Sequence, residues 1–401
     1  MLPGGCKVAG NMGRELLERA HALVPVLRER GAETEALRRI PDETMRDLFD
    51  AELLKAVQPE RWGGFEVDLD DALRITAALG RGCGATAWVY GVLSDHQITL
   101  GMYPEAAQAD IWSASPEAVA CSGLALAGEV RRADGGYRLS GRWSFSSGSD
   151  HAAWVFVHSH APSDTPSDSA DQRPRTAYYL VPRDDFQIVD TWHVIGLSGT
   201  GSKDILIEDV FVPEHRRLFV DEANQGRAPG TKVNLGPLFR MPRLATTPFL
   251  LTAPAIGLTE AMLEQFVESI RTKASRGVKL AELGTIQMRI AEAAAEVDAA
   301  RLLLERDCAE TMSVMRQDGA LTLDQRARNR RDMAYASTLC ARAADRLFTA
   351  AGANGLYDGN EMRRQFHDIR AIGAHFVNSW DVAGTTYSKV TLGLEPGPGP
   401  L

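Results

Sequence analysis

The chain has 401 residues, 44% hydrophobic and 24% charged, with a formal net charge of −9 and a pI near 5.6. That length accommodates two or three domains with a substantial core, and the negative average field repels nucleic acid and anionic membrane surfaces. Five scattered cysteines, Cys6, Cys83, Cys121, Cys308 and Cys340, contain no CxxC pair, so they read as reduced thiols of a cytoplasmic protein and neither a disulfide frame nor a zinc site.

The first residues, MLPGGCKVAGNMG, lack the apolar segment of a signal peptide, and no apolar run approaches the ~20 residues of a spanning helix. From Gly13 to about Arg30 one apolar stripe, Leu16, Leu17, Ala20, Leu23, Val24 and Leu27, has helical period. A second helix starts after Pro41, and Leu73, Ile75 and Leu79 mark a third. ATAWVYGVLSDHQITLGMY (85–103) is apolar nearly all round and predicts a buried helix.

The period changes near Val119. Asp134-Gly135-Gly136 is a turn between two strand-like runs, and AWVFVHS (153–159), AYYLV (177–181) and DILIEDVFV (204–212) are rich in β-branched and aromatic residues. HAPSDTPSDSADQRPR (160–175) reads as a surface loop between paired strands. Helices return after about Thr246. Ile286, Ile290, Ala293, Val297, Ala300 and Leu304 form a long stripe suited to a bundle or a subunit interface, which Asp318-Gly319 stops. Another helix follows to about Ala351, and a last one from about Met362 to Val390. The expected class is α+β in three parts: an N-terminal helical bundle (1–118), a central β-barrel or sandwich (119–235) and a C-terminal four-helix bundle (236–401).

GLSGTGS (196–202) is neither GxGxxG nor a P-loop, and lies between strands; by itself it is a tight turn. GRWSFSSGSDHAAW (141–154) groups Ser144, Ser146, Ser147 and Ser149 around Phe145 and Gly148, small residues that let a backbone approach a flat ring. No GxSxG elbow marks a hydrolase serine. His96 and His375 fall on helices expected to be buried, where a lone histidine is more often a satisfied core residue than a catalyst. The nine histidines form no HxxxH, so no metal is expected.

Taken together, RIPDETMRDLFDAELLKAVQPERWGGFEVD, GRGCGATAWVYGVLSDHQ, GRWSFSSGSDHAAWVFVHS, DTWHVIGLSGTGSKDILIEDVFVPEHR and FHDIRAIGAHFVNSWD resemble the flavin-dependent monooxygenase branch of the acyl-CoA dehydrogenase superfamily over roughly residues 14 to 394. The branch includes oxygenase components of 4-hydroxyphenylacetate and secosteroid phenol hydroxylases and pigment hydroxylases. Val382-Ala383-Gly384-Thr385 puts alanine where many acyl-CoA dehydrogenases carry their catalytic glutamate.

The resemblance implies reduced FMN or FAD and O2 as co-substrates, a flavin C4a-hydroperoxide, and an aromatic or phenolic small-molecule substrate. Oxidation of nitrogen or sulfur, as by amino-sugar nitrososynthases, acyl-CoA dehydrogenation with a relocated base, and a flavin-fold scaffold are the competing readings. The resemblance places His96, Ser146 and His375 around the flavin C4a and N5 atoms, with Ser146 at N5. His375 would be the base facing a substrate hydroxyl, and His96 would stabilise the peroxide or anchor substrate. Phe145, Ser147, Trp192, Thr200 and Ser202 map onto flavin-contacting stretches, and Arg276 and Gln287 onto residues reaching the flavin of a neighbouring subunit in a homotetramer. With no Rossmann fingerprint in the chain, reduced flavin must come from a separate NAD(P)H:flavin reductase.

Overall fold

The structure, a computed structural model, describes residues 5–162, 174–246, 248–275 and 277–397; most of the expected 160–175 loop and Arg276 lie outside these. Six helices come first: α1 (Gly5–Glu29), α2 (Gly31–Leu37), α3 (Asp42–Asp50), α4 (Leu69–Gly80), α5 (Gly84–Gly101) and α6 (Glu105–Trp112). The short α2 escapes a search for apolar period because its sequence, GAETEAL, buries only Gly31 and Thr34. Every residue of α5 is buried, including the polar run Ser94-Asp95-His96-Gln97, as a helix apolar nearly all round requires.

Eight strands follow: β1 (Ala120–Gly123), β2 (Glu129–Ala133), β3 (Gly136–Ser146), β4 (Trp154–His160), β5 (Thr176–Pro182), β6 (Gln187–Val189), β7 (Lys203–Pro213) and β8 (Arg217–Phe219). They form two four-stranded sheets, ordered β1-β4-β5-β8 and β2-β3-β7-β6, antiparallel except for the β1–β4 pair. Trp143, Ile205 and Val212 from one sheet share a buried core with Val155, Tyr179 and Val181 from the other, which is the sandwich form of the expected β unit.

The rest is helical apart from a small antiparallel pair, β9 (Ala274–Ser275) and β10 (Val278–Lys279): α7 (Val220–Asn224), α8 (Arg243–Thr246), α9 (Pro248–Thr272), α10 (Gly284–Arg316), α11 (Leu323–Ala351), α12 (Glu361–Ala374) and α13 (Trp380–Thr391). A capping box between Thr322 and Gln325 starts α11. The single helix expected from Met362 to Val390 is interrupted between α12 and α13, and His375 sits in the break with extended backbone. Gly373 stands in the last turn of α12, but no proline marks that break. The break is held by one local and one distant side chain: Asn378 Nδ2 donates to the Ile372 carbonyl (3.0 Å), and Arg330 Nη1 of α11 to the Val377 carbonyl (2.9 Å). Among the described residues no helix is long and apolar enough to cross a membrane, and no group of His, Cys, Asp and Glu could hold a metal ion.

Candidate active site

The register of β3 against β7 slips between Trp143 and Ser146, and inside that bulge Phe145 takes φ +65. Such a conformation is uncommon for a bulky residue. It turns the Phe145 ring outward, 69% exposed, over a cavity of about 390 Å³. Trp88 of α5 and Ser147 form one wall; Trp192, with Leu197, Thr200 and Ser202 of the Gly-rich turn, forms the second. His367, Ala371 and Ala374 of α12, with His375 beyond it, form the third. Phe145 and Trp192 meet edge to face with ring centres 6.0 Å apart, and Ile195 stands 81% exposed beside them.

The hydroxyls in this cavity are ordered in one direction. Thr200 Oγ1 donates to the Leu197 carbonyl (2.8 Å), so the proton it shares with Ser202 Oγ (2.6 Å) belongs to Ser202. Ser202 has then used its hydrogen, so Ser147 Oγ donates to it (2.8 Å), and the Trp88 indole N–H donates to Ser147 (3.1 Å). All three hydroxyl hydrogens are committed within the chain. Ser147, Thr200 and Ser202 therefore have only lone pairs left to offer a molecule in the cavity.

His375 packs edge-on against Trp88, ring centres 5.1 Å apart. Its Nδ1 accepts from the Val377 backbone N–H (3.5 Å), which leaves the hydrogen on Nε2. Burial, helped by the positive charge of Arg330, lowers its pKa to about 4, so the ring is neutral at physiological pH.

His96 does not line this cavity. It lies eight residues beyond Trp88 on α5, ~12 Å along the axis. There its Nδ1 stands 2.6 Å from the Ala120 carbonyl, which only an Nδ1–H can satisfy, and its Nε2 accepts from Ser122 Oγ at 3.0 Å. Burial lowers its pKa to about 3. Ser146 is buried between two lining residues, and its Oγ has no hydrogen-bond partner. Gln287 is exposed on α10, donating to the Ala281 carbonyl (2.9 Å), away from the cavity in its own subunit.

Of the residues expected from sequence, Phe145, Ser147, Trp192, Thr200, Ser202 and His375 thus surround one cavity, with Ser146 behind it. Trp88 and Ser122 were not anticipated. Trp88 is hidden among other apolar residues of α5, and Ser122 stands in a four-residue strand, ACSG, that carries no motif.

Residues 14–112 match the model of the acyl-CoA dehydrogenase N-terminal domain, and residues 249–380 that of an acyl-CoA dehydrogenase C-terminal domain. The chain is 36% identical over 392 residues to the oxygenase component of an FADH2-dependent resorcinol hydroxylase of Rhizobium sp. strain MTP-10005, covering 95% of each chain. It belongs to the oxygenase components of flavin-dependent monooxygenases within the acyl-CoA dehydrogenase family. The crystal structure of 3-HSA hydroxylase from Rhodococcus sp. RHA1 superposes with a TM-score of 0.89 at 33% identity, covering 95% of this chain and 97% of that one. XiaF from Streptomyces sp., solved with FADH2 and glycerol, superposes with a TM-score of 0.90 at 28% identity, covering 98% of each.

The residues present fit the flavin that family membership implies. A mostly apolar cleft between the aromatic rings of Phe145 and Trp192 and α12 suits a fused ring, three acceptor hydroxyls edge it, and the buried Ser146 Oγ has no partner within the protein. Ala383 is buried in α13, and among the described residues no carboxylate lines the cavity.

Proposed function

We propose that the protein uses reduced FMN or FAD and O2 to hydroxylate a phenolic ring, with its flavin supplied by a separate reductase. The observation that carries this reading is the direction of the hydroxyl chain. Reduced isoalloxazine carries an N–H at N5, where the oxidised ring carries a bare acceptor. Where one of these hydroxyls, with only a lone pair to offer, faces N5, it matches the reduced ring and not the oxidised one. Bound reduced flavin supplies the two electrons that activate O2, so that one oxygen atom enters the substrate and the other leaves as water.

The protein's own groups keep this chemistry dry and aligned. Val194, Ile195, Leu197, Ala371 and Ala374 present apolar surface around the ring, where water would divert the reaction to peroxide. His375, with its hydrogen on Nε2, is a donor to oxygen held in the cavity. Ser122 and His96 form an acceptor pair: a substrate hydroxyl donates to Ser122 Oγ while Ser122 donates to His96 Nε2. A phenol has a pKa of about 10 and His96 one of about 3, so this pair polarises the hydroxyl without removing its proton outright. On this reading His96, through Ser122, takes the substrate-anchoring role that was one of the two expected for it, and His375 faces oxygen in place of the phenol.

A dehydrogenase needs a base for the α-proton of a thioester, and neither the cavity nor Ala383 supplies a carboxylate. We propose a homotetramer in which Gln287 and Arg276 serve the site of a neighbouring subunit.

Rapid mixing tests the reading. The anaerobic protein, loaded with chemically reduced FMN or FAD, is mixed with oxygenated buffer and a simple phenol. A transient absorbance before oxidised flavin returns, with formation of a dihydroxylated ring, is the expected result. Return of oxidised flavin at its protein-free rate would overturn the assignment. A transient without phenol turnover, together with oxidation of amines or sulfides, would move the substrate to the nitrogen or sulfur class.

A further inference from the structure

Leu197 is the pivot of the Gly-rich turn. Its backbone is left-handed, φ +53, a conformation that costs a non-glycine residue about 1 kcal/mol or more. Its carbonyl accepts from the Trp192 indole (3.0 Å) and from both Oγ1 (2.8 Å) and backbone N (3.1 Å) of Thr200. Its N–H donates to Asp368 Oδ1 at 2.6 Å, a buried contact that spans 171 residues of chain. Asp368 lies on α12, one residue from His367 of the opposite cavity wall. The two walls are also in backbone contact beside it: a Cβ on Gly196 would come within 2.3 Å of the His367 carbonyl oxygen. A Cβ on Gly84, the first residue of α5, would come within 2.8 Å of Asp368 Oδ2. The carboxylate therefore sits where α12, α5 and the turn converge.

We infer that Asp368 is a positioning residue for the flavin site: its carboxylate holds the strained Leu197 turn, and through it Trp192, Thr200 and the hydroxyl chain, at a fixed distance from α12. This rests on the flavin reading for its consequence and on the Asp368–Leu197 bond for its mechanism. Burial raises the Asp368 pKa to about 7. The groups acting on it are Arg364 of α12, which favours the charge, and Glu35 of α2, which opposes it; Cys83, before α5, is the thiol it acts on in turn. The anchor is a charge-assisted bond above that pH and a weaker neutral one below it.

The test uses the full chain labelled with 5-fluorotryptophan, the Trp192 resonance being assigned with Trp192→Phe. Asp368→Asn keeps an acceptor oxygen without charge, and Asp368→Ala removes both. In the flavin-free protein, the Trp192 fluorine shift is expected to step near pH 7 in the wild type and not in Asp368→Asn. Reduced FMN, titrated anaerobically, is expected to bind Asp368→Ala at least tenfold more weakly than wild type, with Asp368→Asn within about threefold. An unshifted Trp192 resonance in Asp368→Ala together with unchanged affinity overturns the inference. Should the alanine variant not fold, the Trp192 fluorine shift of Asp368→Asn against wild type at high pH, with their reduced-flavin affinities, decides alone, and identical values overturn the inference. Failure of the wild type to bind reduced FMN and reduced FAD alike would refute the flavin reading and leave the fluorine measurement still deciding the anchor.

Discussion

Ser122 and His96 are joined by one hydrogen bond whose direction is set elsewhere. Because the Ala120 carbonyl claims the Nδ1 hydrogen, Nε2 must accept, and the serine oxygen is left with lone pairs for a third group. Replacing Ser122 by alanine breaks that path while leaving the flavin cavity untouched. Hydroxylation of a phenol by Ser122→Ala is expected to fall about 10²-fold, the lower range for a lost acid–base group. Oxygen consumption by the loaded enzyme should continue, its product now peroxide. The ratio of peroxide to hydroxylated product measures this, and a ratio equal to that of wild type would remove Ser122 from the substrate's path. In the cavity itself, Ser147→Ala leaves the Trp88 indole without its acceptor and cuts the chain to Ser202. One lost hydrogen bond of this kind weakens reduced-flavin binding by roughly three- to tenfold, read by anaerobic titration. Several site residues were legible in the sequence because they cluster locally, as in WSFSSGS and GLSGTGS. Ser122 was not, since its partner is 26 residues away and only the parallel β1–β4 pairing fixes its strand beside α5. The direction of the hydroxyl chain was not legible either, because it depends on which carbonyl Thr200 reaches.

Elements with a strong local signal were read nearly to their ends: β4, β5 and β7 stand where β-branched and aromatic runs placed them, and α10 where its helical stripe and the Asp318-Gly319 stop did. What failed were features fixed by contacts between elements. The break that releases His375 from α12 depends on Asn378 and on Arg330 from another helix, and the distant one leaves no local mark. Helix packing holds a similar hidden constraint. Gly257 of α9 faces α4 so closely that a Cβ there would lie 1.8 Å from the Ala77 carbonyl oxygen. That neighbour is backbone, so the helices must separate to admit even one methyl group. Gly257→Ala is expected to cost about 1–3 kcal/mol, seen as a lower urea midpoint. Because α5 packs on both α4 and α9, reduced-flavin affinity should fall with it. A midpoint within error of wild type would show that α4 and α9 are free to part.

At the scale of the molecule, α10 carries two apolar faces, and only one has a use within the chain. Ile286, Ala293, Val297, Ala300 and Leu304 are buried against the other helices. A second set, Met288, Ala291, Ala295 and Leu302, repeats at intervals of three, four and seven residues and is exposed. Met288 and Leu302 are each 60% exposed or more. A second stripe at heptad spacing on a helix of 33 residues fits another copy of the chain packed along it. Gln287 neighbours that face, which is how it could act on a site it does not reach in its own subunit. The double substitution Met288→Glu and Leu302→Glu places two charges on the stripe without touching the internal core. Sedimentation velocity is expected to show wild type as a tetramer and the variant as smaller species with unchanged helical circular dichroism. If neighbouring subunits complete the flavin site, reduced-flavin affinity should drop together with the mass. Tetramers that persist in the double variant would place the interface on another face, and smaller species that bind flavin as tightly as wild type would make each subunit's site complete on its own.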